Sequence, residues 1–75
     1  MVDQVLDTKG LNCPLPIVKA KKAIKGMAAG AILQVDATDP AAVPDFEAFC
    51  RATGNEMVGH SEDGGVFSIQ IRVTG

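Results

Sequence analysis

The chain has 75 residues, of which 47% are hydrophobic and 4% aromatic, and its formal net charge is −2. This length predicts one domain, residues 1–75, with little stability to spare for a deep substrate cavity. No apolar run approaches the length of a membrane-spanning helix, and the N-terminus lacks a signal-peptide hydrophobic region. The sequence therefore predicts a cytoplasmic protein without membrane association, whose two cysteines are reduced thiols rather than a disulfide framework.

The positive charge is concentrated in the first third of the chain. Residues 1–26 carry five lysines against two aspartates, a net charge of +3, whereas residues 27–75 carry a net charge of −5. The five lysines are Lys9, Lys19, Lys21, Lys22 and Lys25. Four of them fall on one predicted helix.

The first half of the chain reads as strand, helix and strand. A strand is predicted over residues 4–7, with a turn at residues 8–10. A helix is predicted from residue 14 to residue 25 or 27, because apolar side chains recur at helical spacing. That face consists of Ile17, Ala20, Ile24 and Met27, and Val18 widens it. Residues 31–37 are nearly continuous apolar, as in a strand that is central in a mixed sheet or buried on both faces.

The second half reads as helix, strand, hairpin and strand. Asp39 is the expected cap of a second helix; either one turn precedes that helix or the helix begins at Pro44, and Gly54 ends it. Its apolar face is Val43, Phe46, Phe49, Cys50 and Thr53. Residues 56–61 form a weaker strand candidate, residues 62–65 give a strong hairpin signal, and residues 66–73 alternate cleanly.

This order, βαβαββ, predicts an α/β fold in the form of a two-layer sandwich. Two crossovers followed by a hairpin give a four-stranded mixed sheet. Both helices should cover one face of the sheet, because the last strand shows a polar face.

The stretch Leu11-Asn12-Cys13-Pro14-Leu15-Pro16 ends the first strand and opens the first helix with a cysteine at the turn. If Pro14 is the first helical residue, Cys13 is the N-cap, and the prolines leave the Leu15 and Ile17 N–H groups free near the sulfur. The positive end of the helix dipole points there, and thiols at helix N-termini have a lowered pKa. Cys13 is therefore predicted to be an exposed, activated nucleophile whose thiolate is positioned by the rigid helix start at Pro14, Leu15 and Pro16.

The remaining candidates carry weaker signals. Lys9 and Lys19 can add positive potential near Cys13, while Lys21, Lys22 and Lys25 form either a docking face for an acidic partner or a plain solvated surface. Together the five lysines are the candidate docking residues. Cys50 is expected to pack in the core, with a resolving role for Cys13 as the minority alternative, and His60 is expected to be structural or surface. Two distant cysteines and one histidine have no metal-ligand spacing, so no metal is predicted.

Three blocks of this sequence resemble the TusA/SirA-like family of sulfur carriers. The first is the Cys-Pro-X-Pro motif at Cys13-Pro14-Leu15-Pro16, followed by a lysine-bearing helix. The second spans residues 30–40 and the third residues 45–54, so the resemblance covers nearly the whole chain in order. It implies a two-layer α/β sandwich, in agreement with the pattern of elements.

The resemblance also implies a function. Cys13 would carry sulfur as a persulfide, accepting it from a cysteine desulfurase, a rhodanese or a similar donor protein and passing it to an acceptor protein, with uses that include tRNA thiolation, sulfur oxidation and molybdenum-cofactor metabolism. Such transfer is attack of a thiolate on sulfane sulfur, which needs no cofactor, metal or pocket. A monomer without direct nucleic-acid binding is expected.

Two other functions remain open at this point. One is a non-catalytic protein- or RNA-binding regulatory module, although an acidic chain with few aromatic residues lacks the basic patches and stacking platforms that RNA binding uses. The other is a thiol redox switch between Cys13 and Cys50, disfavoured because one cysteine is predicted to be exposed and the other buried.

Overall fold

The computed structural model describes residues 2–12 and 14–74. The elements follow in the order β1 (Gln4–Thr8), α1 (Leu15–Lys25), β2 (Ile32–Ala37), α2 (Ala42–Thr53), β3 (Glu56–Asp63) and β4 (Val66–Arg72). The βαβαββ order predicted from the sequence is confirmed.

The four strands form one mixed sheet in the spatial order β1-β2-β4-β3. β1 runs parallel to β2, whereas β4 runs antiparallel to both β2 and β3. α1 packs on β1 and β2, and α2 packs on β3 and β4, with the two helices in contact. Both helices therefore cover the same face of the sheet, as predicted.

The core lies between that face and the helices. Leu33, Val35, Ile69 and Ile71 point inward from the two central strands, and Phe46 of α2 fills the space between layers; all five are fully buried. Aliphatic and aromatic burial on this scale is the main stabilising term for a small chain. The helices contribute three further small buried side chains, Ala20, Ala42 and Cys50.

Of the two settings expected for β2, central in a mixed sheet or buried on both faces, the structure shows the first. β2 is central in the sheet, but its residues alternate between buried and half-buried, so only one face is covered by the helices. On its other face Asp36 Oδ1 accepts hydrogen bonds from Ser68 Oγ at 3.0 Å and Gln34 Nε2 at 3.1 Å. Gln70 Nε2 lies 3.4 Å from Gln34 Oε1. The open face is therefore a polar, cross-strand hydrogen-bonded surface.

Element boundaries shift by one or two residues from prediction. β1 includes Thr8, which was expected in the turn, and β3 extends two residues further, to Asp63, with a β-bulge between Met57 and Gly59. The hairpin turn falls at Gly64 and Gly65, as predicted.

α2 begins after a single turn, which was one of the two expected alternatives, but its N-cap is Ala41, so the prediction of Asp39 as the cap is wrong. Asp39 Oδ1 accepts the Ala41 N–H at 3.0 Å, and Asp39 O accepts the Ala42 N–H at 2.9 Å. Pro44 lies in the first helical turn, where its missing N–H has no intrahelical role. Gly54 ends the helix, as predicted, in a left-handed conformation. Thr53, predicted on the apolar face, is exposed, and the helix buries Ala42 instead.

No helix in the described part of the chain is long and apolar enough to span a membrane.

Candidate functional site

The loop that leads to the cysteine turn is tied to the end of β2. Thr8 is completely buried, and its Oγ1 donates to Asp36 O at 2.7 Å. Leu11 N–H donates to Thr8 O at 3.1 Å, and Gly10 N–H donates to Thr38 Oγ1 at 2.9 Å. Gly10 has φ of +83°, a conformation that side chains with a Cβ rarely adopt. The loop is therefore held at the carboxyl ends of two parallel strands, where open α/β sheets place their sites.

Cys13 itself lies outside the described residues. The N-cap of α1 is Pro14, so the prediction of the cysteine as the N-cap is wrong. Its neighbours Asn12 and Pro14 are both exposed. Leu15 N–H donates to Asn12 O at 2.9 Å, closing a turn across the cysteine position. The Leu15 N–H is therefore not free for the sulfur, and this part of the prediction is wrong.

α1 begins at Leu15, one residue later than predicted, with Pro14 as the N-cap. Pro14 O accepts the first helical hydrogen bond, from Val18 N–H at 3.0 Å, which is the role of an N-cap carbonyl. Pro16 becomes the second helical residue rather than the third. Proline is tolerated there for the same reason as at the first position, because that N–H lacks an intrahelical partner.

The three residues after Cys13 differ in exposure. Pro14 is exposed, the Leu15 side chain is 48% exposed, and Pro16 is buried. Pro16 thus anchors the start of α1 to the protein interior, while Leu15 presents an apolar side chain to solvent beside the cysteine turn.

Val18 is 53% exposed and does not widen the apolar stripe, contrary to prediction. The helical period places Val18 about 100° from Ile17 and on the side away from Ala20 and Ile24. A helical projection of the sequence would have shown this, and it would also have shown Leu15 on the outer side.

Lys9 and Lys19 lie around Asp7. Lys9 Nζ is 3.4 Å from Asp7 Oδ1, and the same oxygen accepts the Lys9 backbone N–H at 3.0 Å. This backbone hydrogen bond, followed by the side chain of Lys9 and the charge of Lys19, holds the pKa of the Asp7 carboxyl below its usual value. Lys9 is therefore paired with a carboxylate rather than adding unopposed positive potential.

Lys21, Lys22 and Lys25 lie elsewhere, along the outer side of α1. Together with Val18 they line a shallow, solvent-open groove of about 300 Å³. The five candidate docking lysines thus divide into Lys9 and Lys19, which lie around Asp7, and the three lysines that line the groove.

Cys50 is a free, buried thiol, 5% exposed, as predicted for a core residue. Burial raises the pKa of its thiol. Both features oppose thiolate chemistry at Cys50, because the thiolate is the nucleophile. His60 is exposed on β3, which agrees with a surface role.

Among the described residues, no three histidine, cysteine, aspartate or glutamate side chains come together in a way that would hold a metal ion. The candidate site therefore lies between a loop that is anchored at the carboxyl ends of β1 and β2 and the start of a lysine-rich helix.

This architecture is that of the SirA-like fold. A crystal structure of a SirA-like protein from Desulfitobacterium hafniense matches with a TM-score of 0.83, covering 96% of this chain and 99% of that chain at 23% sequence identity. The match establishes the arrangement of strands and helices.

Sequence comparison goes further. A family model described as Sulfurtransferase TusA matches residues 4–73. A sulfur carrier protein TusA from Allochromatium vinosum is 53% identical over 70 residues, covering 93% of this chain and 92% of that protein. A putative sulfur carrier protein from Neisseria meningitidis is 50% identical over 72 residues, covering 96% and 97%. The chain belongs to the TusA family of sulfur carriers.

Proposed function

We propose that this protein holds sulfane sulfur as a persulfide on Cys13 and relays it from a donor protein to an acceptor protein. In this sense it acts as a sulfurtransferase, with little turnover when its partners are missing. The observation that carries the proposal is the anchored loop before Cys13, followed by the exposed neighbours Asn12 and Pro14 at the start of α1.

The chemistry needs few groups. The Cys13 thiolate attacks the terminal sulfur of a donor persulfide; a bond forms between Cys13 Sγ and that sulfur, and the donor leaves as its own thiolate. In the second step an acceptor thiolate attacks the same terminal sulfur and releases the Cys13 thiolate. Each step exchanges one sulfur–sulfur bond for a new bond to sulfur, so no outside oxidant or reductant is consumed.

The surroundings of Cys13 favour the anionic forms. α1 begins two residues after Cys13 in sequence, and the positive end of a helix dipole favours anions such as a thiolate or a persulfide. The neighbours Asn12 and Pro14 are exposed, so a partner protein can bring its own sulfur to this part of the surface. Donors of the cysteine desulfurase or rhodanese type, and acceptors in tRNA thiolation, sulfur oxidation or cofactor synthesis, fit this chemistry.

RNA binding by the open sheet face has no comparable support. That face presents Gln34, Asp36, Ser68 and Gln70, and the three phenylalanines of the chain lie on α2 or on the helix-covered side of β4. It therefore offers neither the stacking aromatics nor the basic groove on which single-stranded nucleic acids bind.

Intact-mass spectrometry tests the proposal. Reduced wild type, Cys13→Ala and Cys50→Ala are incubated with inorganic polysulfide, and each mass is read before and after dithiothreitol. We expect one added sulfur, removable by dithiothreitol, on wild type and Cys50→Ala and none on Cys13→Ala. Circular dichroism shows that each variant is folded.

An added sulfur that persists on Cys13→Ala would overturn the assignment of the carrier residue. The lack of any adduct on the wild type, with the polysulfide shown to be competent on another thiol protein, would overturn persulfide carriage itself.

A further inference from the structure

We infer that the groove on α1, lined by Val18, Lys21, Lys22 and Lys25, is the surface that recognises the partners of Cys13, and that its ligand is an acidic protein segment with an apolar side chain at its centre. This inference rests on the proposed function, because it assigns the docking surface for the donor and acceptor proteins.

The charge of α1 has no counterpart within the helix. Its sequence, residues 15–25, contains four lysines and no acidic residue. The ion pairs among the described residues join Lys9 to Asp7 and Arg72 to Glu56, and neither includes a lysine of α1. Since the chain as a whole carries a net charge of −2, the positive surface of α1 is a local feature.

Spacing makes the groove lysines neighbours. Lys21 and Lys25 are one helical turn apart, and Lys22 and Lys25 are three residues apart, so their like charges repel one another. Lys22 and Lys25 also lie in the last turn, where positive charge complements the helix dipole. Lys21 gains nothing from that position, because the dipole effect is confined to the last turn. An acidic partner would relieve the repulsion among all three.

An apolar strip accompanies the charges. Leu15 and Val18 are three residues apart and about half-exposed, at 48% and 53%. Val18 lies in the groove itself, flanked by lysines at the next turn. An apolar contact bordered by charges is the arrangement of a protein-binding patch, with a dry centre and a polar rim.

The groove also lies where a sulfur-transfer partner must bind. α1 starts two residues after Cys13 and extends about 15 Å from Leu15 to Lys25 at 1.5 Å per residue. A partner segment lying along Leu15, Val18 and the lysines would therefore reach the cysteine turn at one end. Lys9 and Lys19 have a different neighbourhood, around Asp7, and are not included in the groove.

Nuclear magnetic resonance titration of the ¹⁵N-labelled full chain tests this assignment. The probe is a short synthetic peptide of glutamates with one central phenylalanine, and the matched peptide has serine at that position. We expect amide shifts concentrated at residues 15–25, weaker binding at high salt, and tighter binding of the phenylalanine peptide.

Two charge reversals form a matched pair. Lys25 and Arg51 are both basic residues in the last turn of a helix, one in α1 and the other in α2. Lys25→Glu should weaken peptide binding about fivefold at low salt, whereas Arg51→Glu, which changes the net charge equally, should change it less than about twofold. Val18→Ser should remove the preference for the phenylalanine peptide.

Three results would overturn the inference. They are shifts centred outside residues 15–25, equal losses from Arg51→Glu and from Lys25→Glu, or tighter binding of a single-stranded oligouridylate than of the peptide at this groove. The last would assign the groove to RNA. Sulfur uptake from polysulfide by the wild type is measured separately, so failure of persulfide carriage is distinguished from failure of the docking surface.

Discussion

The two helices pack side by side on the same sheet but differ in which side chains they bury and which they expose. α2 buries Ala42, Phe46 and Cys50 and ends in a left-handed glycine, Gly54. α1 buries only Pro16 and Ala20, leaves Leu15 and Val18 about half-exposed, and carries four lysines.

The difference indicates a division of labour. In α2 the large side chains are inside, so substitutions there should change the free energy of unfolding. In α1 the half-exposed apolar side chains and the groove lysines should contribute little to folding, and Leu15 lies at the end of the helix nearest Cys13 in sequence. Exposed apolar side chains that cluster beside the proposed sulfur-carrying residue are better explained by binding than by folding.

The largest expected contrast is between Phe46 and Leu15. Phe46→Ala should lower the free energy of unfolding by about 3–5 kcal/mol, because it removes a fully buried aromatic side chain and leaves a cavity. Leu15→Ala should change it by less than about 0.5 kcal/mol, because that side chain is half-exposed. Urea denaturation followed by circular dichroism measures both.

If Phe46→Ala does not fold, Phe46→Leu provides a measurable loss, of less than about 1.5 kcal/mol. The proposed difference between the two helices would be contradicted if Leu15→Ala were as destabilising as the Phe46 variants.

The glycines that end the helices give a smaller contrast, of opposite sign. Gly54 has φ of +80°, and Gly54→Ala should destabilise by about 1–2 kcal/mol, since an L-residue is strained there. Gly26 has φ of −96°, and an added Cβ would approach only Ala23 O, at 3.8 Å. Gly26→Ala should stabilise by about 0.4–1 kcal/mol by restricting the unfolded chain. Thermal unfolding would refute this reading if both variants shifted the midpoint in the same direction.

The smallest expected effect is the pH dependence contributed by Cys50. Burial raises the pKa of this thiol, so above the ordinary thiol pKa the unfolded chain releases a proton that the folded chain retains. The free energy of unfolding should therefore fall as pH rises through about 9, by at most about 1.4 kcal/mol per pH unit. Below that pH the contribution of Cys50 is fully present.

Urea denaturation between about pH 7 and pH 10, a range that brackets the ordinary pKa of a thiol, measures this pH dependence. It is carried out in the Cys13→Ala background, which removes the other thiol. Adding Cys50→Ala should reduce the fall of the free energy of unfolding over the same pH range. An unchanged slope would show that Cys50 ionises equally in the folded and unfolded chains.

Much of the architecture followed from the sequence. The alternation in residues 66–73, the hairpin at residues 62–65 and the helical spacing of Ile17, Ala20 and Ile24 depend on local periodicity, which is written in the order of residues. Boundaries were less predictable, because they depend on individual hydrogen bonds. Thr8 belongs to β1 because its backbone pairs with Ala37, and its hydroxyl donates to Asp36 O, 28 positions away in sequence.

The site shows the same limit. The sequence by itself determined the Cys-Pro-X-Pro motif, its place between a strand and a helix, and the family to which the chain belongs. Only the tertiary structure decided that the Leu15 N–H donates to Asn12 O and that Lys9 forms an ion pair with Asp7. It alone also decided that Val18 lies among three lysines in an open groove. The physical reason is that motif identity and periodicity are local, whereas pairing and exposure depend on which distant residues the fold brings together.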